Sequence, residues 1–186
     1  MSTRQHGSEQ RLAELACDHL RTRRGVRVLV GGLGLGFTLK AVLGCLGADA
    51  EVVTAEILSA VIAWNANPSF PLAGAAMRDP RVTIQQRDVF EVIRSAPGEF
   101  DSVVLDVDNG PHAMTTGSNA RLYGDSGLRL TRAALKPGGC AAYWSAAPNV
   151  EFEKALARAG FTVAAHRCRA RANSGRWHTV FVAKRP

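Results

Sequence analysis

The sequence lacks any apolar run close to the roughly 20 residues that a membrane-spanning helix requires. Residues 1–9 are polar and contain no apolar core of the kind found in secretory signals. These two absences argue against a membrane span and an export signal. We therefore expect a cytoplasmic protein that has no membrane among its partners.

Paired metal-ligand motifs are also missing. The four cysteines, at positions 17, 45, 140 and 168, form no Cys-x-x-Cys pair and do not have the spacing of a zinc site. His166 and Cys168 are two residues apart, but no second pair accompanies them. We expect buried or incidental thiols and no metal site.

Acidic residues are absent after Glu153, whereas residues 154–186 contain eight of the 23 basic residues. The rest of the chain is nearly neutral, so the net charge of +7 comes mostly from this end. A basic end can attract nucleic acid or an acidic substrate. A solvated, arginine-rich surface hairpin is the favoured interpretation, because no aromatic stacking pattern or nucleic-acid motif accompanies the charge. Nucleic acid is therefore not expected as a partner.

The 186 residues, 46% of them hydrophobic, suffice for one domain with a substantial core. Short apolar runs alternate with helical stretches, which favours a mostly parallel sheet covered on both faces. We predict an α/β fold, a Rossmann-like seven-stranded sheet that ends in an antiparallel hairpin. Residues 1–24 are predicted as an N-terminal helical lead-in and residues 25–186 as the Rossmann-like domain. The predicted strands are 26–30, 51–55, 82–86, 101–105, 140–144, 161–165 and 177–183.

A glycine-rich turn, GGLGLG at positions 31–36, follows the first predicted strand and leads into a helix. Glycine permits a tight turn and lets backbone amides approach a ligand, and the helix N-terminus favours negative charge. The spacing Gly32-x-Gly34-x-Gly36 is typical of S-adenosylmethionine enzymes. A dinucleotide fingerprint would require glycine where Phe37 stands. A structural turn without a ligand is the alternative.

Carboxylates follow the next two strands. Glu56 ends the second strand and can accept hydrogen bonds from ribose hydroxyls, with Ile57 beside it. Asp88 follows the third strand, immediately before Val89. It can accept from an adenine amino group, cap the next helix, or do both. We predict that Glu56, Ile57, Asp88 and Val89 contact the cofactor together with the three glycines.

The fourth predicted strand ends in a cluster of polar side chains: Asp106, Asp108, Asn109 and His112. Ligands of open α/β sheets bind beyond the carboxyl ends of the strands, so this cluster is the candidate catalytic group. Asp106 is expected to contact both the cofactor and the acceptor. An Asx-turn loop that only reverses the chain direction is the alternative.

In these motifs the sequence resembles the C-terminal catalytic domain of spermidine synthase and its homologues, a branch of the class I S-adenosylmethionine-dependent transferases. The resemblance covers nearly the whole chain, and residues 6–9 resemble the segment that joins the two domains of that family. It implies that Glu56 holds the ribose, Asp88 the adenine, and Asp106 an amine nucleophile that it deprotonates. It also implies a homodimer. The matching stretches are residues 32–39, 56, 87–88, 101–106, 135–139 and 175–177.

Several positions depart from the family pattern. Leu35, Leu58 and Asn109 stand where the family carries acids, and no segment matches its N-terminal β-domain. Leu35 cannot hold the ammonium of decarboxylated S-adenosylmethionine, whereas intact S-adenosylmethionine has its own carboxylate for the backbone amides. We therefore expect methyl transfer to a small-molecule acceptor, with amines among the candidates. Aminopropyl transfer, or a non-catalytic nucleoside-binding module, is the alternative.

Overall fold

A seven-stranded sheet organises the chain in the computed structural model, which describes residues 6–70, 72–107, 110, 120–170 and 175–186. The strand order across the sheet is β3-β2-β1-β4-β5-β7-β6. The strands are β1 (Arg27–Gly31), β2 (Glu51–Ala55), β3 (Val82–Gln85), β4 (Phe100–Leu105), β5 (Leu135–Ser145), β6 (Thr162–Arg169) and β7 (Trp177–Lys184).

The strand directions confirm the predicted fold class. Strands β3, β2, β1, β4 and β5 run parallel to one another, and β7 pairs antiparallel with both β5 and β6. Gly31 lies level with Ala55 of β2 and with Leu105 of β4. The carboxyl ends of these three central strands therefore meet at one edge of the sheet, which we call the carboxyl edge.

Helices cover both faces of the sheet, as the alternation of side chains along the strands requires. In β1, Val28 and Val30 face one apolar cluster and Leu29 faces the other. Helices α1 and α2 contribute to the first cluster, and α5, α7 and α8 to the second. The helices are α1 (Gly7–Cys17), α2 (Phe37–Cys45), α3 (Ser59–Ala66), α4 (Gly74–Met77), α5 (Val89–Ser95), α6 (Ala120–Tyr123), α7 (Asp125–Ala134) and α8 (Val150–Arg158).

Helix α1, from the predicted lead-in, packs directly against the sheet. Leu12, Ala13 and Ala16 are completely buried in the same cluster as the β1 side chains. The Gly7 amide donates to the Ala170 carbonyl oxygen at 2.9 Å, which ties the start of α1 to the chain just beyond β6. The lead-in thus shares the hydrophobic core of residues 25–186.

Some element boundaries differ from the sequence-based expectation because tertiary pairing extends the strands. The Lys-Pro-Gly-Gly stretch at 136–139 lies inside β5, although the sequence predicts this strand only from residue 140. There the Gly138 amide donates to the Arg185 carbonyl oxygen (3.0 Å) and the Arg185 amide to that of Gly139 (2.8 Å). Strand β6 extends to Arg169 rather than residue 165, because it pairs with β7 as far as Trp177. In the described part of the chain, no helix is both long and apolar enough to cross a membrane.

Candidate functional site

The glycine turn lies at the carboxyl edge, and two of its glycines cannot be replaced without displacing their neighbours. Gly32 has φ +88°, and a Cβ there would lie 2.6 Å from the Asp106 carbonyl oxygen. Gly36 has φ +77°, and its Cβ would lie 2.0 Å from the Cβ of Ala73. Both conformations are left-handed, a region that glycine enters at no steric cost. The turn therefore brings bare backbone against the end of β4.

Glu56 holds this turn in place. Its Oε2 accepts a hydrogen bond from the Leu33 amide at 3.0 Å, and its Oε1 accepts from the Leu58 amide at 2.9 Å. The side chain is buried, with 8% of its surface exposed. A carboxylate oxygen has two lone-pair sites, so each oxygen can accept a further bond from a ligand hydroxyl. Glu56 thus has a structural role in the turn, and its ribose contact stays a prediction.

Asn65 is a site residue that the sequence interpretation missed. Its Nδ2 donates to the Gly34 carbonyl oxygen at 2.8 Å, and its Oδ1 accepts from the Ala73 amide at 3.0 Å. The side chain is 1% exposed and therefore links the glycine turn to α3 and to the segment before α4. No local pattern reveals this role, because Gly34 and Asn65 are 31 residues apart in sequence.

Asp106 follows β4 directly and meets the start of α2. The Asp106 amide donates to the Gly31 carbonyl oxygen at 3.0 Å, which continues the pairing of β4 with β1. Thr38 Oγ1, in the first turn of α2, donates to Asp106 Oδ2 at 2.6 Å. Among the described residues, no donor contacts Oδ1. Within the described part of the chain, one carboxylate oxygen of Asp106 thus has a protein donor and the other has none.

The environment of Asp106 suits proton transfer near neutral pH. Burial raises the pKa of its carboxyl group to about 6, against the lowering effect of the Thr38 hydrogen bond, and the negative charge of Glu9 adds to the increase. A general base works best when its pKa lies near the operating pH. Thr38 and Glu9 were not among the predicted site residues, although Thr38 stands two positions after the last glycine of the turn.

Asp88 caps helix α5, as one of its two predicted roles requires. Its Oδ1 accepts from the Phe90 amide at 2.8 Å, and its Oδ2 forms an ion pair with Arg121. The Arg121 guanidinium lies over the Phe90 ring, 4.5 Å from the centroid, and its side chain is half exposed. An adenine amino group would have to share or replace the Arg121 contact. The adenine role of Asp88 therefore stays a prediction.

The two predicted apolar contacts differ in exposure. Ile57 is 58% exposed beside Glu56, so its side chain is open to a planar ligand. Val89 is buried, and its Cγ2 lies close enough to Gly31 that a Cβ on that glycine would be only 2.8 Å away. Val89 can thus offer a ligand its backbone but not its side chain.

Three predicted catalytic residues, Asp108, Asn109 and His112, lie outside the described residues, and their roles stay predictions. The structure brings together the glycine turn, Glu56 and Asp106 at the carboxyl edge. Within the described ranges, no group of three or more His, Cys, Asp or Glu side chains has the arrangement of a metal site.

Comparison with known proteins identifies relatives by fold alone. No protein-family model and no curated protein sequence matches the chain. Spermidine synthase from Thermotoga maritima superposes with a TM-score of 0.75 at 20% identity, over 96% of this chain and 59% of that protein. TrmN from Thermus thermophilus gives 0.67 at 24% identity, over 96% and 48% of the two chains. The CurJ carbon methyltransferase gives 0.62 at 20% identity, over 91% and 50%.

The chain thus spans 59% of the length of the Thermotoga maritima spermidine synthase and 48% of the length of TrmN. Identities at this level establish architecture and not activity. The mostly parallel sheet and its antiparallel hairpin are the features that the superposition supports. The chain has the Rossmann-like fold shared by spermidine synthase and S-adenosylmethionine-dependent methyltransferases.

Proposed function

We propose that this protein is an S-adenosylmethionine-dependent transferase, and that it transfers a methyl group to a small-molecule nucleophile. One observation carries the proposal: the Glu56 carboxylate, which secures the glycine turn, and the Thr38–Asp106 pair lie at the ends of β2 and β4, the two parallel strands that flank β1. This is the position where ligands bind in open α/β sheets. The fold supports the same class of protein.

The residues present fit a nucleoside that carries an amino acid. The glycine turn offers bare backbone and the N-terminus of α2, which suit a carboxylate. Glu56 offers two acceptor oxygens for ribose hydroxyls, and Ile57 offers an exposed apolar surface for a base. A sulfonium donor, when bound, supplies an activated carbon and a neutral leaving group.

Asp106 is the proposed general base. Its Oδ1, which no donor contacts among the described residues, accepts a hydrogen bond from the nucleophile and thereby orients it. The same oxygen takes the proton that the nucleophile loses as its new bond to carbon forms. Thr38 holds the other oxygen, so the carboxylate stays in one orientation. Positioning and proton removal are the two contributions that this chemistry requires of the protein.

Replacing Glu56 with alanine is expected to weaken binding of S-adenosylmethionine by roughly 1–3 kcal/mol, the range for a lost hydrogen bond to a charged group. Ribose contacts are lost directly, and the Leu33 and Leu58 amides lose their acceptor. Glu56→Gln keeps one carbonyl acceptor, so its affinity for S-adenosylmethionine should lie between those of the unmodified protein and Glu56→Ala. Isothermal titration calorimetry measures the affinities.

Glu51→Ala is the matched control, because Glu51 stands at the opposite end of β2 and is exposed. Its affinity for S-adenosylmethionine should equal that of the unmodified protein. If the unmodified protein gives no binding heat at millimolar S-adenosylmethionine, the proposed function is wrong. Equal affinity for NAD would contradict the interpretation of the glycine spacing.

Aminopropyl transfer is the second candidate, favoured by Asp106 and by the likeness to spermidine synthase. A competition assay with both sulfonium donors and putrescine separates the two reactions. We expect little turnover of decarboxylated S-adenosylmethionine, because Leu35 gives its ammonium no carboxylate partner. Turnover of decarboxylated S-adenosylmethionine at about 1 per second or faster, ordinary for enzymes, would establish aminopropyl transfer instead.

A non-catalytic nucleoside-binding module remains the third candidate: it would bind the nucleoside and transfer nothing to any acceptor. Two further parts of the proposal concern partners. We propose a small-molecule acceptor, with amines among the candidates, and a homodimer, on the strength of the resemblance described above.

A further inference from the structure

A cavity lies outside the group of residues proposed to hold the cofactor. It has a volume of about 640 Å³ and lies between the N-terminal half of α1 and the strands β6 and β7; we call it the hairpin cavity. Three arginines, Arg11, Arg167 and Arg169, are among the residues that line it, together with Trp177. Glu14 is the acidic residue of the lining, and it pairs with Arg11 at 3.1 Å.

Arg167 and Arg169 are held in place by an aromatic ring. They are two residues apart on β6 and therefore project from the same face of the strand. Their guanidinium carbons lie 4.6 Å and 4.3 Å from the centroid of the Trp177 ring, which faces them across the β6–β7 pair. Among the described residues, no carboxylate forms an ion pair with either one. Stacking on an indole orients a guanidinium and leaves its N–H groups free to bind an anion.

The first turn of α1 adds to the positive potential on one side of the cavity. Gly7, the first residue of the helix, lines the cavity, and no side chain caps the helix at His6. The N-terminus of a helix favours negative charge. Glu9 is the acid in that turn, and Ser8 Oγ donates to it at 2.6 Å. Among the described residues, positive groups nevertheless outnumber acids in the cavity lining, because Glu14 is its acid and pairs with Arg11.

We propose that the hairpin cavity binds a small molecule that carries a phosphate or carboxylate group. Both groups accept the paired N–H donors of a guanidinium. The volume falls in the range of about 300–1,000 Å³ that is usual for small-molecule sites, which favours such a ligand over an extended nucleic-acid strand. This proposal does not depend on the proposed transferase activity.

The cavity lies near the carboxyl edge of the sheet. The start of β7 pairs with the end of β5, where Ser145 lies opposite Thr179. His6, which lines the cavity, stacks on Phe37 at the start of α2, with ring centroids 4.5 Å apart. An anion in the cavity would thus be close to the elements that carry the glycine turn. A polyamine has the wrong sign of charge for this surface.

Titration of the full chain with inorganic pyrophosphate and with citrate tests the proposal in the absence of any sulfonium donor. We expect both probes to bind, and their order of affinity distinguishes a phosphate ligand from a carboxylate ligand. The double variant Arg167→Gln/Arg169→Gln should bind about tenfold more weakly or worse, because it removes the two guanidinium groups that stack on Trp177.

The matched control is Arg24→Gln/Arg129→Gln, which removes the same charge from two exposed arginines outside the cavity. It should keep the affinity of the unmodified protein, and thermal unfolding confirms that both variants are folded. Equal weakening in the two double variants, or no binding at millimolar probe, would overturn the proposal. So would an RNA oligonucleotide that binds more tightly than both probes and responds alike to both variants.

Discussion

Asp106→Asn is expected to lower the rate of group transfer by roughly two to four orders of magnitude, the usual contribution of a general base. Asparagine keeps the shape of the side chain and can still accept from Thr38 Oγ1, but it cannot take a proton. The affinity for S-adenosylmethionine should change far less than the rate, because only the predicted Asp106 contact is altered and Glu56 and the glycine turn are intact. Transfer of a labelled methyl group measures the rate, and calorimetry measures the affinity.

The pH profile gives an independent measurement of the same group. The rate of the unmodified protein should rise with pH through about 6, as Asp106 loses its proton. Thr38→Val removes the hydrogen bond that lowers this pKa, so its profile should move to higher pH. A purely structural role for Thr38 would lower the rate without moving the profile.

Asp106 is also expected to cost the folded protein stability when it is ionised. The pKa of Asp106 in the folded protein, about 6, lies above its ordinary value of 3.8, so the folded state holds the proton more tightly than the unfolded state. The free energy of unfolding that this proton contributes is present below pH 3.8 and is lost as the pH rises from there through about 6. Above pH 6, Asp106→Asn should therefore unfold at the same temperature as the unmodified protein or at a higher one.

Asp125→Asn, at an exposed site, is the control for the transfer rate and for thermal unfolding. An undiminished transfer rate in Asp106→Asn would refute the role of Asp106 as the base.

The largest effect on stability is expected at the opposite edge of the sheet, at Asp101. This residue is 1% exposed, yet its carboxylate accepts from Lys136 Nζ at 2.6 Å and from the Arg27 amide at 2.8 Å. Arg23 adds an ion pair at 3.1 Å. Asp101→Ala should reduce the free energy of unfolding by roughly 2–4 kcal/mol, because charge-assisted bonds are lost and buried donors are left without an acceptor. Denaturant titration measures the change.

Asp49→Ala is the control, since Asp49 also accepts from a backbone amide, that of Gly25 at 3.1 Å, but at an exposed site. Burial alone would raise the pKa of Asp101; the Lys136 and Arg27 hydrogen bonds and the charges of Lys136 and Arg23 outweigh it, so the pKa is lowered. The stabilisation that ionised Asp101 gives the folded protein is therefore present above the pKa that Asp101 has in the unfolded chain. It is lost as the pH falls through the lower pKa that Asp101 has in the folded protein. The difference between Asp101→Ala and the unmodified protein should shrink in acid. Equal losses in Asp49→Ala and Asp101→Ala would contradict the prediction.

The fold could be predicted from the sequence because its signals are local. Apolar runs alternate with helical stretches, and a glycine turn follows the first strand. These patterns correctly indicated seven strands with an antiparallel end. Boundaries were less accurate where pairing partners decide them, as in β5, which begins at Leu135 because its first residues pair with β4 and with the chain end at Arg185.

The sequence by itself determined the layered sheet, the tight glycine turn and the carboxylates at the strand ends, because strand direction places those residues at one edge. Only the tertiary structure decided how they are held. Asn65 reaches Gly34, Thr38 reaches Asp106, and Arg121 reaches Asp88, each across at least 31 residues of chain. The same holds for Arg167 and Arg169, which the sequence presented as a solvated basic hairpin. The packing of α1 against β6 and β7 turns that hairpin into one wall of a cavity. Such contacts depend on chain geometry over long separations, which no local pattern encodes.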